Sequence, residues 1–356
     1  MLCAWFIPLF TSITSLIFGY DEADLIFVGD AMQHKAQLEA ARSCKEYDYT
    51  GYFDAIMPIV AGADLAVVNL ETPVGDPPHT GYPCFNAPPA FVDALAAAGF
   101  DLFLTANNHT LDRGHRGLRS TLSVLDDREL LHIGTYSDLT ARSEALPRIL
   151  DVNAFKIGFL NYTYGTNGIQ PRDGVVVDYI DRTLIKSDVE TARKAGAELI
   201  CVCIHWGDEY RLLPNSTQRH LADFLEAIGV DMIIGAHPHV IQPMELRPNR
   251  YNPSRNILLV YSLGNFVSNM KTADTRGGSM VHVKLFRGDD KKAVIKDADY
   301  RLLFTVPGTH PADGFRVLEA DSVKSTLWKP RAAEFARRAR AIFDKHNIGV
   351  KEAAQP

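Results

Sequence analysis

Two histidines stand two residues apart in the stretch Gly235-Ala236-His237-Pro238-His239, directly after a short apolar run. In extended backbone, side chains at positions i and i+2 point to the same face, so both imidazoles can reach one point. Imidazole is the commonest side-chain ligand for metals, and the motif therefore indicates a metal site at the end of a strand. A polar loop with two solvated histidines is the alternative for this motif alone.

Other polar groups follow apolar runs in the same way earlier in the chain. The runs have the length and composition of buried strands, and helical patterns separate them. In open α/β sheets, sites form at the carboxyl ends of strands, so residues far apart in the sequence can converge there. The candidate residues are Asp30, Glu71, Asn108 with His109, His205, and His237 with His239.

This set mixes carboxylates, an amide oxygen and imidazoles. The mixture suits Zn, Mn or Fe better than Mg or Ca, so we predict divalent transition metal ions. Six ligands exceed the need of one tetrahedral ion, whereas two ions that share a carboxylate would use them all. For single members, other roles stay open, since Asp30 could cap a helix and Asn108 could form a turn.

Composition and patterning set the broad class. The chain has 356 residues, of which 46% are hydrophobic, and a formal net charge of −6 without a basic block. Nucleic acid is therefore excluded as an expected partner, because phosphate backbones recruit clustered Lys and Arg. Alternating strands and helices predict an α/β architecture with a more antiparallel late half. We expect a single domain over residues 20–356 that ends in an amphipathic helix at 331–346.

The first 19 residues differ from the rest because they contain no charged side chain. Such a segment is typical of a secretory signal peptide, here cut near Gly19 or Tyr20. A membrane anchor and a buried first helix are the alternatives. The expected location is therefore outside the cytoplasm, in the periplasm or associated with the cell envelope.

Six motifs stand in a fixed order along the chain. They are Gly29-Asp30, Asn69-Leu70-Glu71, Asn107-Asn108-His109, His205-Trp206-Gly207, Gly235-Ala236-His237-Pro238-His239 and Tyr261-Ser262-Leu263-Gly264-Asn265-Phe266. Together they resemble the CapA family, the poly-γ-glutamate capsule synthesis proteins, from about Leu25 to Phe286. The resemblance implies the calcineurin-like metallophosphoesterase fold, a four-layer α-β-β-α sandwich with mixed sheets.

The resemblance also implies roles for the candidate residues. Glu71 occupies the position where metallophosphoesterases usually carry a bridging aspartate. His239 would complete the shell of the second ion. The implied metal ligands are Asp30, Glu71, Asn108, His205, His237 and His239.

The remaining implied roles concern catalysis and substrate. His109 would be the general acid or transition-state stabiliser, and Asp112, three residues later, would orient its ring. Arg113 follows the same loop and could meet an anionic substrate. Tyr164 comes after a strand and could line the cleft, and Asn265 could be aimed towards the site.

The sequence departs from the family pattern at the opening motif. Metallophosphoesterases begin with Asp-x-His, but here position 32 is Met32, and His34 comes two residues late. Glu71 is also longer than the usual aspartate. A single-metal or altered site is therefore open beside the two-metal site.

The resulting functional prediction is an exported, metal-dependent hydrolase that uses metal-activated water in the synthesis of a capsule or cell-envelope polymer. By the family resemblance, the substrate would be an anionic polymer such as poly-γ-glutamate, or a phosphoester. Partners in the capsule-synthesis machinery are expected. The alternative is a non-catalytic protein of the same fold that binds or assembles an envelope polymer.

Overall fold

The computed structural model describes residues 22–43, 46–288, 291–308 and 314–354. The predicted signal peptide, residues 1–19, lies outside the described residues. The helices are α1 (Lys35–Ala41), α2 (Met57–Val60), α3 (Pro89–Ala97), α4 (Gly114–Asp126), α5 (Leu139–Ala145), α6 (Arg182–Lys194), α7 (Ser216–Ala227) and α8 (Lys329–His346). The strands are β1 (Glu22–Ala31), β2 (Leu65–Leu70), β3 (Leu102–Leu104), β4 (Leu131–Ile133), β5 (Thr135–Tyr136), β6 (Arg148–Val152), β7 (Phe155–Thr163), β8 (Val176–Val177), β9 (Leu199–His205), β10 (Met232–Ala236), β11 (Ile241–Pro248), β12 (Asn256–Leu263), β13 (Asn265–Val267), β14 (Gly277–Arg287), β15 (Ala293–Pro307), β16 (Phe315–Glu319) and β17 (Lys351–Glu352).

The larger sheet has nine strands. Its main order is β16-β15-β14-β1-β2-β3-β4, with β13 beside β1 and β17 beside β15. The strands β1 to β4 run parallel, whereas β14 pairs antiparallel with both β1 and β15. The prediction of a more antiparallel late half is thus confirmed.

The second sheet has six strands in the order β11-β12-β10-β9-β7-β6. The four central strands are parallel, and the two edge strands β6 and β11 are antiparallel to their neighbours. Parallel strands buried on both faces are continuously apolar, as the run Leu199 to Ile204 in β9 illustrates.

The two sheets pack face to face, and helices cover their outer faces. Phe27 of β1 and Phe159 of β7 are buried in the core between the sheets. On the opposite face of the nine-stranded sheet, Val68 packs in a core shared with α3, and on the six-stranded sheet Val202 packs with α6 and α7. This arrangement is an α-β-β-α sandwich with mixed sheets, so the predicted fold class is confirmed.

The helices correspond to the amphipathic patterns of the sequence, with small differences at their ends. The C-terminal helix, expected at 331–346, begins two residues earlier at Lys329. The α6 helix begins earlier than its apolar pattern indicates because Asp181 caps it, accepting a hydrogen bond from the Leu184 backbone N–H. Within the described part of the chain, no helix is long and apolar enough to cross a membrane.

Candidate metal centre

The candidate ligands meet at the carboxyl ends of strands from both sheets. Asp30 lies near the end of β1, and Glu71 directly follows β2 of the nine-stranded sheet. His205 ends β9, and His237 directly follows β10 of the six-stranded sheet. Each position follows from where an apolar run stops, and the packing of the two sheets brings these ends together.

The loop that carries His237 and His239 is not extended, which corrects the expectation for this motif. The φ angles are 101° at His237 and 57° at His239, positive values that residues other than glycine seldom adopt. The ring centroids lie 6.0 Å apart, and the two imidazoles belong to different ligand groups. Unusual backbone of this kind concentrates at functional sites, because the surrounding structure must hold it in place.

Two groups of potential ligands share one carboxylate. In the first ligand group, the ligand atoms of Glu71, His205 and His237 all lie within 4.8 Å of one another. The second ligand group meets the same limit with Asp30, Glu71 and His239. Glu71 is therefore the residue that belongs to both ligand groups.

Glu71 is the most unusual side chain of the centre. It is fully buried, yet neither carboxylate oxygen has a hydrogen-bond partner among the residues that the structure describes. Its Oε1 lies 3.7 Å from His205 Nε2 and 3.9 Å from His239 Nε2, beyond hydrogen-bonding distance. The buried Nδ1 of His237 also lacks a partner. Since buried carboxylates are expensive unless paired or metal-bound, these orphaned atoms fit a divalent cation.

The electrostatics of the cluster favour the neutral form of His205 and His237, whereas His239 is paired with an acid. Burial, and then the charge of Asp30, raise the pKa of Glu71. Burial lowers the pKa of His205, and burial with His239 nearby lowers that of His237 to about 3. Burial alone would also lower the pKa of His239, but its contact with Asp30 raises it overall. Neutral imidazole is the form that binds metals.

Asparagine amides position several of these side chains. Asn69 Nδ2 donates to Asp30 Oδ1 at 2.7 Å and lies 3.4 Å from His205 Nδ1, so it ties the two sheets together. Asn265 Nδ2 donates to the Thr275 carbonyl at 2.8 Å, which leaves its Oδ1 3.0 Å from His239 Nδ1. No role was predicted for Asn69, although its place near the end of β2, two residues before Glu71, was the available signal.

Asn108 lies against the first ligand group. Its Oδ1 is 2.9 Å from His205 Nε2, while its Nδ2 donates to Asn167 Oδ1 at 3.3 Å. The amide oxygen therefore faces the cluster. This orientation is the one that a metal ligand requires.

His109 and Asp112 form a hydrogen-bonded pair beside the cluster. His109 Nδ1 lies 2.8 Å from Asp112 Oδ2, which also accepts the Phe85 backbone N–H at 2.8 Å. The Phe85 ring stands edge-on to the His109 ring, with centroids 4.7 Å apart. With Nδ1 engaged, Nε2 is the ring nitrogen available for another contact.

The predicted substrate contacts differ in their surroundings. The Tyr164 ring lies 4.5 Å from His237, and the residue is 48% exposed, so it stands at the mouth of the centre. Asn265 is fully buried, and its amide is engaged with His239 and Thr275. Arg113 is exposed just before α4 and makes no ion pair with any residue that the structure describes. The substrate role of all three stays a prediction.

A further tyrosine at the mouth was not predicted. Tyr210 is 54% exposed, and its ring centroid lies 6.2 Å from that of His239. Its backbone N–H donates to the Pro238 carbonyl at 2.8 Å, and its φ of 64° is again in the left-handed region. Its place in a loop after Gly207 gave no periodic signal in the sequence.

Met32 stands where the metallophosphoesterase pattern has a histidine, and the fold brings no other histidine of the described residues to that place. Met32 is buried and supplies no imidazole or carboxylate at the position of the usual histidine. His34 does not replace the missing imidazole, because its Nδ1 accepts the Asn269 backbone N–H at 3.3 Å and its ring packs on Phe85. The second ligand group therefore has three side chains without a ligand from this position.

Known proteins are similar in sequence to this chain over most of its length. The chain matches the model of the bacterial capsule synthesis protein family PGA_cap over residues 24–270. It is 25% identical to the capsule biosynthesis protein CapA of Bacillus anthracis over 325 residues, which cover 87% of this chain and 76% of that protein. It is 29% identical to the PGA biosynthesis protein CapA of Bacillus subtilis (strain 168), over 73% of this chain and 67% of that protein.

A solved structure shares the fold. The NAD nucleotidase NadN of Haemophilus influenzae superposes with a TM-score of 0.53 at 12% identity, over 94% of this chain and 65% of that one. At this identity the likeness concerns the fold, which is metallophosphoesterase-like. With the family match covering well over half of its length, the chain belongs to the bacterial capsule synthesis protein family PGA_cap.

Proposed function

We propose that the protein is a metal-dependent hydrolase that acts on an anionic polymer during capsule or cell-envelope synthesis. The single observation that carries the proposal is the buried, unpartnered carboxylate of Glu71 between three histidines. A fold whose only task was structural would gain stability by replacing such a group with an apolar one. Its retention among imidazoles is accounted for by a bound cation.

The proposed metal ligands divide between two positions. His205, His237 and the Asn108 oxygen would hold one ion, and Asp30 and His239 the other, with Glu71 shared. Divalent Mn, Zn or Fe bound there would supply an activated water as nucleophile and would neutralise negative charge in the transition state.

The protein side chains would orient the substrate and move the proton. Asp112 holds the His109 ring through Nδ1, so Nε2 is placed to hydrogen-bond the leaving group or to give it a proton. Phe85 packs against this ring and limits its rotation. Tyr164, whose pKa is raised to about 12 chiefly by burial, stays a neutral hydrogen-bonding group at the mouth.

The substrate class and the cellular place of the reaction are proposed from the relatives. Two are named for capsule or PGA biosynthesis, and a Mycobacterium tuberculosis relative, 27% identical over 51% of this chain, is a probable polyglutamine synthesis accessory protein. A role in polyglutamate synthesis implies a polycarboxylate substrate and contact with the synthesis machinery. We propose export to the cell envelope, with residues 1–19 as the signal peptide or anchor.

A second function is favoured by one observation, the buried Met32 at the position of the usual histidine. Loss of a ligand could leave one ion or none, and the protein would then bind or assemble polymer without hydrolysing it. The two proposals differ in metal stoichiometry and in turnover.

Elemental analysis of the purified protein tests the proposal. Two transition-metal ions per chain, lost in Asp30→Ala and His237→Ala, would support the two-ion hydrolase and justify assays on phosphoester and γ-glutamyl substrates. The exposed His220 on α7 provides a control, because His220→Ala should keep the metal. One ion with turnover would indicate an altered hydrolase. No metal after reconstitution, and no turnover, would refute the hydrolase in favour of binding or assembly.

A further inference from the structure

A surface groove of about 440 Å³ lies between α1 and the loop of residues 79–84. One wall is formed by Lys35 and by the residues three, four and seven positions after it, the last of which directly follows α1. These spacings place the side chains on one face of the helix. At Gly81 the loop packs directly on this helix, since a Cβ there would lie 2.3 Å from the Lys35 backbone nitrogen. The wall residues on the helix side are Lys35, Leu38, Glu39 and Arg42.

Tyr82 borders both the groove and His109. This tyrosine lines the groove, and its ring centroid lies 6.5 Å from that of His109. Phe85, a few residues further on, contacts the rings of both His109 and His34. A chain lying in the groove would therefore end beside the proposed proton donor. Tyr47 and His79, with ring centroids 5.1 Å apart, stand in the wall of the same groove.

The lining combines positive charge with apolar surface. Lys35 has an 82% exposed side chain, and the Arg42 guanidinium is a second basic group in the wall. Glu39, 3.7 Å from Lys35, is the one carboxylate among the groove-lining residues that the structure describes. Between these charges, the side chains of Leu38 and Tyr82 offer apolar contact. An extended chain that alternates carboxylates with methylene groups matches this lining.

Exposed acidic residues lie beside Tyr210, the second exposed tyrosine near the candidate ligands. Asp208 and Glu209 directly precede Tyr210, whose ring centroid lies 6.2 Å from that of His239. Because like charges repel, a polycarboxylate is favoured at the groove over this acidic segment.

From this geometry we infer that the α1 groove binds an extended polycarboxylate chain and presents it to the centre on the His109 side. The inference rests on the proposed function for its substrate and adds the binding surface and the direction of approach. It also predicts that chain recognition depends on charges remote from the metal ligands.

Cys84 allows a test that requires no turnover. It is an exposed free thiol in the groove wall, whereas Cys201 and Cys203 are buried. The rate of alkylation of Cys84, followed by mass spectrometry of its peptide, is measured with and without poly-γ-glutamate. Bound polymer should slow the reaction by a factor of about 1 + [L]/Kd, about tenfold at ten times Kd. The protection should weaken as ionic strength rises.

Variants locate the binding surface. Lys35→Glu should abolish most of the protection, because it reverses the charge at the groove. Lys186→Glu is the matched control, since Lys186 also pairs with a glutamate four residues later, on α6. It should leave the protection unchanged. Unaltered alkylation at saturating polymer, or equal effects of the two variants, would overturn the inference.

The polymer arms separate this inference from the proposed function. Equal protection by polyphosphate would refute the assignment of a carboxylate chain. Protection by poly-γ-glutamate in a protein without hydrolase activity would keep the groove and refute the hydrolase. Hydrolysis of the polymer without protection of Cys84 would support the hydrolase and refute the groove.

Discussion

Replacing Glu71 by Gln should change the stability of the protein in opposite directions with and without metal. In chelator, Glu71 has no hydrogen-bond partner among the described residues, and burial beside the Asp30 carboxylate raises its pKa; either keeping the group charged or protonating it therefore costs free energy at neutral pH. The amide has the same shape without the charge. We therefore expect Glu71→Gln to be more stable than the wild type in chelator at neutral pH.

The magnitudes follow from burial and mass action. The amide of the variant is also polar, so the variant recovers only the part of the burial cost that comes from the ionisable group, about 1–3 kcal/mol in chelator. At a metal concentration a thousand times Kd, binding stabilises the wild type by about 4 kcal/mol. A variant that has lost its shared ligand should gain little from the metal. The order of stabilities should therefore reverse on adding metal.

The assay is denaturant unfolding of both proteins in chelator and in excess manganese. Glu226 provides a matched control because it is also a buried glutamate, but one held by Arg247 at 2.8 Å and Arg250 at 2.8 Å. Glu226→Gln should lose about 2 kcal/mol in both conditions, a value reduced for screening because the Arg250 side chain is half exposed.

Equal destabilisation by Glu71→Gln in chelator and in manganese would refute the reasoning. Such a result would mean that the carboxylate has a structural partner and that no cation binds beside it. Glu71→Gln would then behave like the Glu226→Gln control, in which the free energy of unfolding falls equally in both conditions.

Three further predictions concern other residues. Hydrogen bonds from its arginine partners outweigh burial and lower the pKa of Glu226 to about 2. The stability that its charge contributes is therefore fully present above pH 4.5 and is lost as the pH falls towards 2. In denaturant unfolding, the difference in free energy of unfolding between wild type and Glu226→Gln should narrow over that pH range. Asp112→Asn should keep the metal content but lower turnover by about a hundredfold, because the His109 ring loses its anionic partner; unchanged turnover would exclude this role. Gly235→Ala places a Cβ 2.1 Å from the Tyr261 carbonyl oxygen, so it should destabilise the fold by about 1–3 kcal/mol and reduce metal content, measured by unfolding and elemental analysis.

The sequence was sufficient to predict where the candidate residues lie wherever that place depends on local pattern. Asp30, Glu71 and His205 each stand where an apolar run ends, and parallel strands present such ends at one edge. The same reasoning predicted the α/β class and the C-terminal helix, which begins two residues earlier than expected. The resemblance to a known family added the pairing of the two sheets.

Features that depend on contacts between distant elements were not predictable from pattern. Asn69 has its role because β1 and β9 bring Asp30 and His205 to either side of it. Glu226 lies on a helix where its charge suggests exposure, yet two arginines on and beside β11 bury it. The direction of a side chain across a sheet interface is set by packing that the linear sequence does not display.

The division of the candidate ligands between two sheets makes the thickness of the intervening core a determinant of the geometry of the candidate metal centre. Phe27, Phe159 and Cys203 lie in the core between the sheets, so their volumes help to set how far Glu71 stands from His205. A substitution there that leaves the fold intact would still alter the separation of the two halves of the centre. The apolar core thus acts as a spacer for the polar groups at its edge.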